Sequence, residues 1–422
     1  MEIETAPEDV LAEAADVSAA GAAGSARPTE NVMSTENVMS TENVVPAGSA
    51  VTGTGMRISC SRDELVAKLG IVSRAVSTRG TVQVLSGILL SADGGALSLA
   101  ATDMELSLRA TLEAEVEGEG AVVIPGKLLV DLARLLPESA VTIEYRPEEG
   151  VAQVASGSAT YRLNTYSAED FPRLPPIEAQ LHSIDREALL ETVDRVARSA
   201  SRDESRPVLT GILVRFETGK LVMVATDSYR LSVKETELAA SAPELEAIIP
   251  ARALQELARL CGSSGGPGTV ELGVHENHVV FGTGDAWLTT RRIDGQFPNF
   301  RQLLPETFEV ELSINRSELY DVVRRVAVLA QRNSPLRLRF TEGELTVSSQ
   351  TQDIGEAKES LPVAYAGDEF LIGFNAEFLR DGVDSIKGDD VLLKLINPLR
   401  PAILVDPAGD FTYLIMPIRL AG

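Results

Sequence analysis

The sequence predicts an α+β fold of three similar domains, each with two helices packed on antiparallel sheet. Two observations carry this. Blocks of residues recur: Val84-Leu85-Ser86-Gly87-Ile88-Leu89 returns as Val208-Leu209-Thr210-Gly211-Ile212-Leu213, 124 residues on, and Ala101-Thr102-Asp103 returns as Ala225-Thr226-Asp227 at the same spacing. A period this long marks whole domains, not solenoid units. In addition, each copy runs from a stripe of helical period into β-rich stretches parted by a glycine turn. Gly95-Ala96-Leu97, Gly219-Lys220-Leu221 and Gly343-Glu344-Leu345 mark that turn three times, again 124 apart.

The chain opens with a tail, 1–55, that has no aromatic residue and no period able to build a core. A six-residue unit recurs inside it, as Thr29-Glu30-Asn31-Val32-Met33-Ser34, Thr35 to Ser40, and Thr41-Glu42-Asn43-Val44. That composition predicts a disordered acidic extension. Either it tethers something, or it is an extension without function, or the start codon was placed too far upstream and Met56 is the true start. The three copies then occupy 56–178, 179–306 and 307–422. In copy one, Leu65, Leu69, Val72 and Val76 form a helical stripe with Arg74 opposite. In copy two Asp185 caps a helix from Arg186, and Leu189, Val193, Val196 and Ala200 form the stripe. In copy three the stripe is Leu319, Val322, Val323, Val326 and Ala330. Hairpins follow: Ile88–Ser91 with Leu97–Ala100, Ile212–Phe216 with Leu221–Ala225, and Leu336–Phe340 with Leu345–Ser348. A second helix starts near Lys127, Arg252 and Glu377. Ile124-Pro125 and Leu132-Ala133-Arg134-Leu135 match Ile249-Pro250 and Leu257-Ala258-Arg259-Leu260, 125 residues on.

Composition removes several classes. The 422 residues carry 38 Lys+Arg against 62 Asp+Glu, a formal charge of -24. Nine acids against Arg27 put -8 of that in the tail and leave -16 in the body. Such acidity argues against attachment to nucleic acid by net charge, though not against a local basic face. No apolar run reaches the roughly 18–20 residues of a membrane span. The acidic start, with Glu2, Glu4, Glu8 and Asp9, does not fit a secretory signal. Cys60 and Cys261 are the only cysteines, which suits a reducing cytoplasm and leaves no disulfide scaffold.

Motifs for chemistry are missing. Gly120 to Lys127 imitates a phosphate loop, but the glycines are one residue too far apart and Leu128 stands where a Ser or Thr should hold metal. His275-Glu276-Asn277-His278 lacks the zincin order and reads as a turn between strands. Asp103 and Asp227 recur after the same hairpin, where a turn or cap role is the ordinary one, and Thr351 replaces them in copy three. No nucleophile elbow is present. The reading is therefore a non-catalytic protein with no cofactor and no metal. The remaining chemistry is Arg on the helices: Arg74 and Arg198 correspond, as do Arg195 and Arg325, with Arg332 beyond. If the domains stand side by side, those helix faces line one basic surface within an acidic shell.

From Met56 to Leu420 the chain resembles the bacterial sliding clamps, the beta subunit of DNA polymerase III. The residues that carry the resemblance are Val84 to Leu89, Ala225-Thr226-Asp227-Ser228-Tyr229-Arg230-Leu231, Asp294-Gly295-Gln296-Phe297-Pro298-Asn299-Phe300, and Tyr413-Leu414-Ile415-Met416-Pro417-Ile418-Arg419-Leu420. It implies the clamp fold: a head-to-tail homodimer whose six domains close a ring around duplex DNA, with helices lining the hole. It implies a processivity factor that tethers the replicative polymerase rather than an enzyme. A ring held by topology needs little affinity, and strong phosphate contact would slow sliding.

The resemblance also implies sites. Arg79, Arg198, Arg202, Arg206 and Arg252 would face DNA. Leu209, Thr226, Ser228, Tyr229, Arg230, Leu231, Pro298, Leu303, Met416, Pro417, Ile418, Arg419 and Leu420 would hold short, partly apolar peptides of the polymerase III alpha subunit, the clamp loader and other partners. Gln302 stands where some members have Arg, and Ala421-Gly422 run past the usual end. Tyr161 and Leu163 would meet Val328 and Leu329 at the dimer joint. The alternative is a peptide-binding scaffold of clamp fold that does not encircle DNA.

Overall fold

A computed structural model describes residues 55–420, except 78–81, 178–179, 218, 239–244, 264–267, 331–333 and 352–354. The tail, Arg79, Arg332, Ala421-Gly422 and the 178/179 boundary lie outside the described residues.

Three units follow one plan. Unit one runs β1 (Met56–Ser61), α1 (Arg62–Val72), β2 (Gly87–Asp93), β3 (Ala96–Thr102), β4 (Leu106–Leu112), β5 (Glu115–Glu117), β6 (Gly120–Pro125), α2 (Gly126–Leu135), β7 (Ala140–Arg146), β8 (Val151–Ser156) and β9 (Ala159–Asn164). Unit two runs β10 (His182–Asp185), α3 (Arg186–Ala197), β11 (Gly211–Glu217), β12 (Lys220–Thr226), β13 (Arg230–Glu237), β14 (Glu246–Pro250), α4 (Ala251–Ser263), β15 (Thr269–His275), β16 (His278–Thr283) and β17 (Ala286–Arg291). Unit three runs β18 (Val310–Asn315), α5 (Arg316–Ala327), β19 (Leu336–Thr341), β20 (Glu344–Thr351), β21 (Gly355–Pro362), β22 (Phe370–Phe374), α6 (Ala376–Ser385), β23 (Asp390–Leu395), β24 (Ala402–Val405) and β25 (Phe411–Ile415).

Local chemistry sets these elements. Ser61, Asp185 and Asn315 each end an opening strand and cap the helix that follows, accepting from the amides of Glu64, Ala188 and Glu318 at 2.8–3.1 Å. That satisfies donors a helix start leaves open. The hairpin glycines Gly95, Gly219 and Gly343 sit at φ +82°, +73° and +74°, where a side chain would strain the turn. Alternation along the strands divides two faces. Ile88, Leu90, Val122 and Ile124 turn toward the helix-packed core, whereas Leu89 and Val123 turn away. His275 and His278 flank a turn with Glu276 at φ +48°, as a turn reading requires.

The units share sheets. All strand pairs are antiparallel, and β17 of unit two joins β4 of unit one, so that four strands from each make one sheet of eight. In the same way β25 of unit three joins β13 of unit two. The outermost sheets are β5-β1-β7-β8-β9 and β21-β20-β19-β22.

One expectation for the helix faces is overturned. Arg195 does not contribute to a basic helix surface; it is 2% exposed. It donates to Asp406 Oδ2 at 2.5 Å and to Glu191 Oε1 at 2.9 Å, and its guanidinium lies 4.5 Å from the Phe411 ring centroid. Glu191 lies one turn back on α3, but the turn between β24 and β25 brings Asp406 and Phe411 from unit three, which a helical wheel cannot show. Arg325 is likewise engaged, bonded to both carboxylate oxygens of Glu359 at 2.8–3.1 Å. Burial pushes the Asp406 carboxyl up, but the Lys387 and Ala408 amides and Arg195 outweigh it and hold it below the usual range. This contribution is present above the ordinary carboxylate range and is lost as acid protonates Asp406. Arg195→Ala leaves Asp406 buried without its partner, a loss of about 3–5 kcal/mol. The expected readout is a thermal midpoint lower by several degrees; an unchanged midpoint would show that this pair does not hold the joint.

Candidate functional site

The joint between units two and three carries an apolar cluster on the sheet face away from the helices, and the side chains bordering it outline the candidate groove. Leu213, Val222, Val224, Leu231, Val233 and Ile248 from unit two pack with Ile403 and Leu414 from unit three. Val208, Phe297, Leu303 and Met416 border this cluster.

Thr226 to Arg230 build the rim. Asp227 Oδ1 accepts from the amides of Tyr229 and Arg230 at 2.9 and 3.0 Å, and Thr226 Oγ1 donates to the Arg230 carbonyl at 2.7 Å. Ser228 is thereby held at φ +81°. Asp103 and Thr102 make the same turn in unit one, with Met104 at φ +79°. The recurring Asp is a turn residue in both.

The two joints differ in what fills them. In unit three, Phe378 lies on α6 with its ring 6.4 Å from that of Tyr229, and the Arg230 guanidinium stands 4.3 Å from the Phe378 centroid. Arg230 also bonds Asp227 at 3.0 Å and Asp381 at 2.7 Å. Burial works against its charge, but Tyr413, Asp381 and Asp227 more than offset this and hold its pKa above the usual value. At the joint of units one and two the matching positions are Ala253, Glu105 and Leu106, so this stacked arrangement does not recur. The aromatic–guanidinium stack is worth about 0.5–2 kcal/mol and fixes the wall of the groove.

The last residues close the other wall. Met416 donates its amide to the Tyr229 carbonyl at 2.9 Å, and Ile418 donates to Gly373 at 2.8 Å. A Cβ on Gly373 would lie 2.6 Å from Leu420 Cδ2, so glycine is what lets Leu420 lie down on β22.

Of the peptide-site residues expected from sequence, Thr226, Ser228, Tyr229, Arg230, Leu231, Leu303 and Met416 meet here, and Ile418 and Leu420 lie beside them at Gly373. Leu209, Thr226, Arg230 and Leu231 are buried. Tyr229 is 47% exposed, Arg419 is exposed, and Ser228, Pro298, Leu303, Met416, Pro417, Ile418 and Leu420 are half-buried. Phe378 and Asp381 were not foreseen; the signal was present as an aromatic where the repeat places Ala253 in copy two. Arg206 is expected from the resemblance among the DNA-facing arginines. It precedes the one-turn helix Pro207–Thr210 and donates to Ser228 Oγ at 2.9 Å, so it stands at this groove's mouth.

The other arginines are spread out. Arg202 is exposed beyond α3. Arg198, just past the same helix, pairs with Asp194 at 3.4 Å and with Asp384 of unit three. Arg252 is exposed on α4 and bonds Asp103 of unit one at 2.6 Å. Tyr161 and Leu163 lie on β9, and Val328 and Leu329 follow α5. Among the described residues no group of three His, Cys, Asp or Glu is placed to hold a metal, and no helix is long and apolar enough to cross a membrane.

Comparison with known proteins gives the lineage. The families described as DNA polymerase III beta subunit N-terminal, central and C-terminal domain match residues 56–175, 183–299 and 301–419. The chain is 35% identical to the beta sliding clamp of Synechococcus elongatus over 376 residues, covering 86% of this chain and 100% of that one. It is 34% identical to that of Streptomyces coelicolor over 380 residues, covering 87% of this chain and 100% of the other. Its fold superposes on the crystal structure of the sliding clamp from Bacillus subtilis with a TM-score of 0.82 at 25% identity, covering 87% of this chain and 100% of that one. With both sheet-sharing joints and full-length relatives in agreement, the chain belongs to the DNA polymerase III beta subunit family, the beta sliding clamps.

Proposed function

We infer that two copies of this chain close head to tail into a ring around duplex DNA, and that the ring keeps the replicative polymerase on its template without doing bond chemistry. The three units are taken at 56–178, 179–306 and 307–422. One observation carries the ring: the joints repeat, and one pair of edges is left over. In both joints the last strand of one unit pairs with the strand ending the first hairpin set of its neighbour, with Leu288 opposite Leu108 and Tyr413 opposite Ser232. The equivalents still unpaired are β9 of unit one and β21 of unit three, which lie at sheet edges. An open edge invites a strand.

The same register sets Tyr161 opposite Ala357, Leu163 opposite Gly355 and Arg162 opposite Glu356 of the second copy. Unlike charges thus face each other across the seam. Val328 occupies the place of Arg198, whose partner Asp384 corresponds to Arg134, beside Leu135. Leu135 and Val328 are 78% and 79% exposed, the most open large apolar side chains among the described residues. The seam brings them together, where burial is favourable. Light scattering at micromolar concentration is expected to give twice the 45.1 kDa chain mass; a stable single-chain mass would remove the ring.

The groove at units two and three is the site for partner peptides from the polymerase III alpha subunit, the clamp loader and other clamp-binding proteins. Its Met, Leu and Pro suit an adaptable apolar contact, and Arg206 and Arg419 orient the peptide. The DNA-facing set is Arg79, Arg198, Arg202 and Arg252, with Arg206 assigned to the groove instead by its bond to Ser228. Arg202→Ala with Arg252→Ala is expected to lower retention on circular DNA while peptide affinity holds; equal retention would take these two off the DNA path.

A further inference from the structure

In each unit the segment after the last strand turns back toward the strand before the second helix. Tyr166 bridges to Val123, Ile293 to Ile248, and Ile418 to Gly373. What this segment covers differs between units. In unit two Gly295 lies tight against Val208, where a Cβ would meet Val208 Cγ2 at 2.7 Å. In unit one the matching stretch, Ser167 to Asp170, is one residue longer than Asp294 to Gln296 and coils into a 3-10 turn at Ala168–Asp170. Beside this longer turn and Val84 lies a gap.

The gap has a volume of about 480 Å³ and is lined by Val82, Gln83, Val84, Tyr166, Ser167 and Asp170. Its floor is a small apolar cluster in which Val84 and Tyr166 pack with Leu85, Val123 and Phe171. This is the sheet face that, in unit two, carries the partner groove. Val82 at the lip is 51% exposed. Asp170 is exposed, and the structure pairs its carboxylate with no cation among the described residues.

We propose that this gap is a second peptide site, which takes one apolar side chain of an extended partner segment with a Lys or Arg beside it. The floor accepts the side chain, as β22 accepts Leu420 in unit three. The Gln83 amide and Ser167 hydroxyl suit the backbone of the segment. Asp170 sets the charge preference, opposite to that of the groove rimmed by Arg206 and Arg419. A partner anchored at both places would gain by effective concentration even where the second contact is weak.

The test uses the full chain and a labelled Gly-Lys-Leu-Phe-Lys-Gly peptide, titrated by fluorescence anisotropy beside its Glu-flanked counterpart. Saturable binding of the Lys-flanked peptide is expected, weakened about tenfold by Asp170→Lys and by Val82→Asp, and unchanged by Met416→Ala. Both substitutions are at exposed positions, so the fold is retained. Loss with Met416→Ala would place the peptide in the other groove. Preference for the Glu-flanked peptide, indifference to both exposed substitutions, or no saturation at millimolar peptide would each overturn the proposal. The reading of the partner groove is tested separately, by an acidic clamp-binding peptide and Met416→Ala.

Discussion

A chain carrying Tyr161→Asp and Val328→Asp is expected to run in solution at one chain mass, 45.1 kDa, instead of twice that. Tyr161 lies on the open edge β9, and the register carried over from both internal joints puts it opposite Ala357 of the second copy. Val328 is set against Leu135 at the end of the other copy's α2. A carboxylate at either place must leave water for an apolar seam without a partner, which costs several kcal/mol. Two seams per ring double the penalty. Both positions are exposed in the single chain, so each copy keeps its fold and its thermal midpoint. Peptide affinity at units two and three also holds, because that groove lies within one chain. An undiminished mass would place the seam elsewhere.

Tyr229→Ala with Met416→Ala is expected to weaken binding of a clamp-binding peptide by about ten- to hundredfold, or about 1.4–3 kcal/mol. Tyr229 is the exposed half of the stack with Phe378, and Met416 borders the apolar floor. Leu231 is the less informative target. It is fully buried in the same cluster, and its truncation would lower stability by about 2–5 kcal/mol as well as altering the groove. Peptide titration and native mass should be measured on the same sample. A weaker peptide with unchanged mass supports the groove; unaltered affinity would remove Tyr229 and Met416 from it.

The parts of the fold that the sequence made legible are those governed by local geometry. Turn glycines at positive φ, the Asp185 cap and the helical stripes each state a backbone requirement in a few residues, and the 124-residue spacing repeats them. The rest depends on what arrives from a distance. Arg195 reads as a surface residue on the wheel of α3 because nothing in that helix announces Asp406, which comes from 211 positions further on. Arg206, expected to face DNA, bonds Ser228, a partner 22 positions further on that its own stretch of sequence does not announce. Phe378 and Asp381 acquire meaning only once α6 is seen to face Arg230. The sharing of sheets between units is equally invisible from patterning, since an edge strand and an internal one alternate alike. The gap in unit one lies beside a turn longer by a single residue, which an offset of 127 at Tyr166 and Ile293 against 126 at Phe171 and Phe297 records.

The ring itself is tested most directly by topology. The full chain is loaded by a clamp loader onto nicked circular DNA, passed over a sizing column at about 0.15 M salt, where surface charge attraction is screened within about 8 Å, and compared before and after linearisation. The account predicts that protein stays with the circle and runs off once the DNA has ends. Protein that stays on the linear form, or that leaves the circle just as fast, would contradict a ring held in place by encirclement.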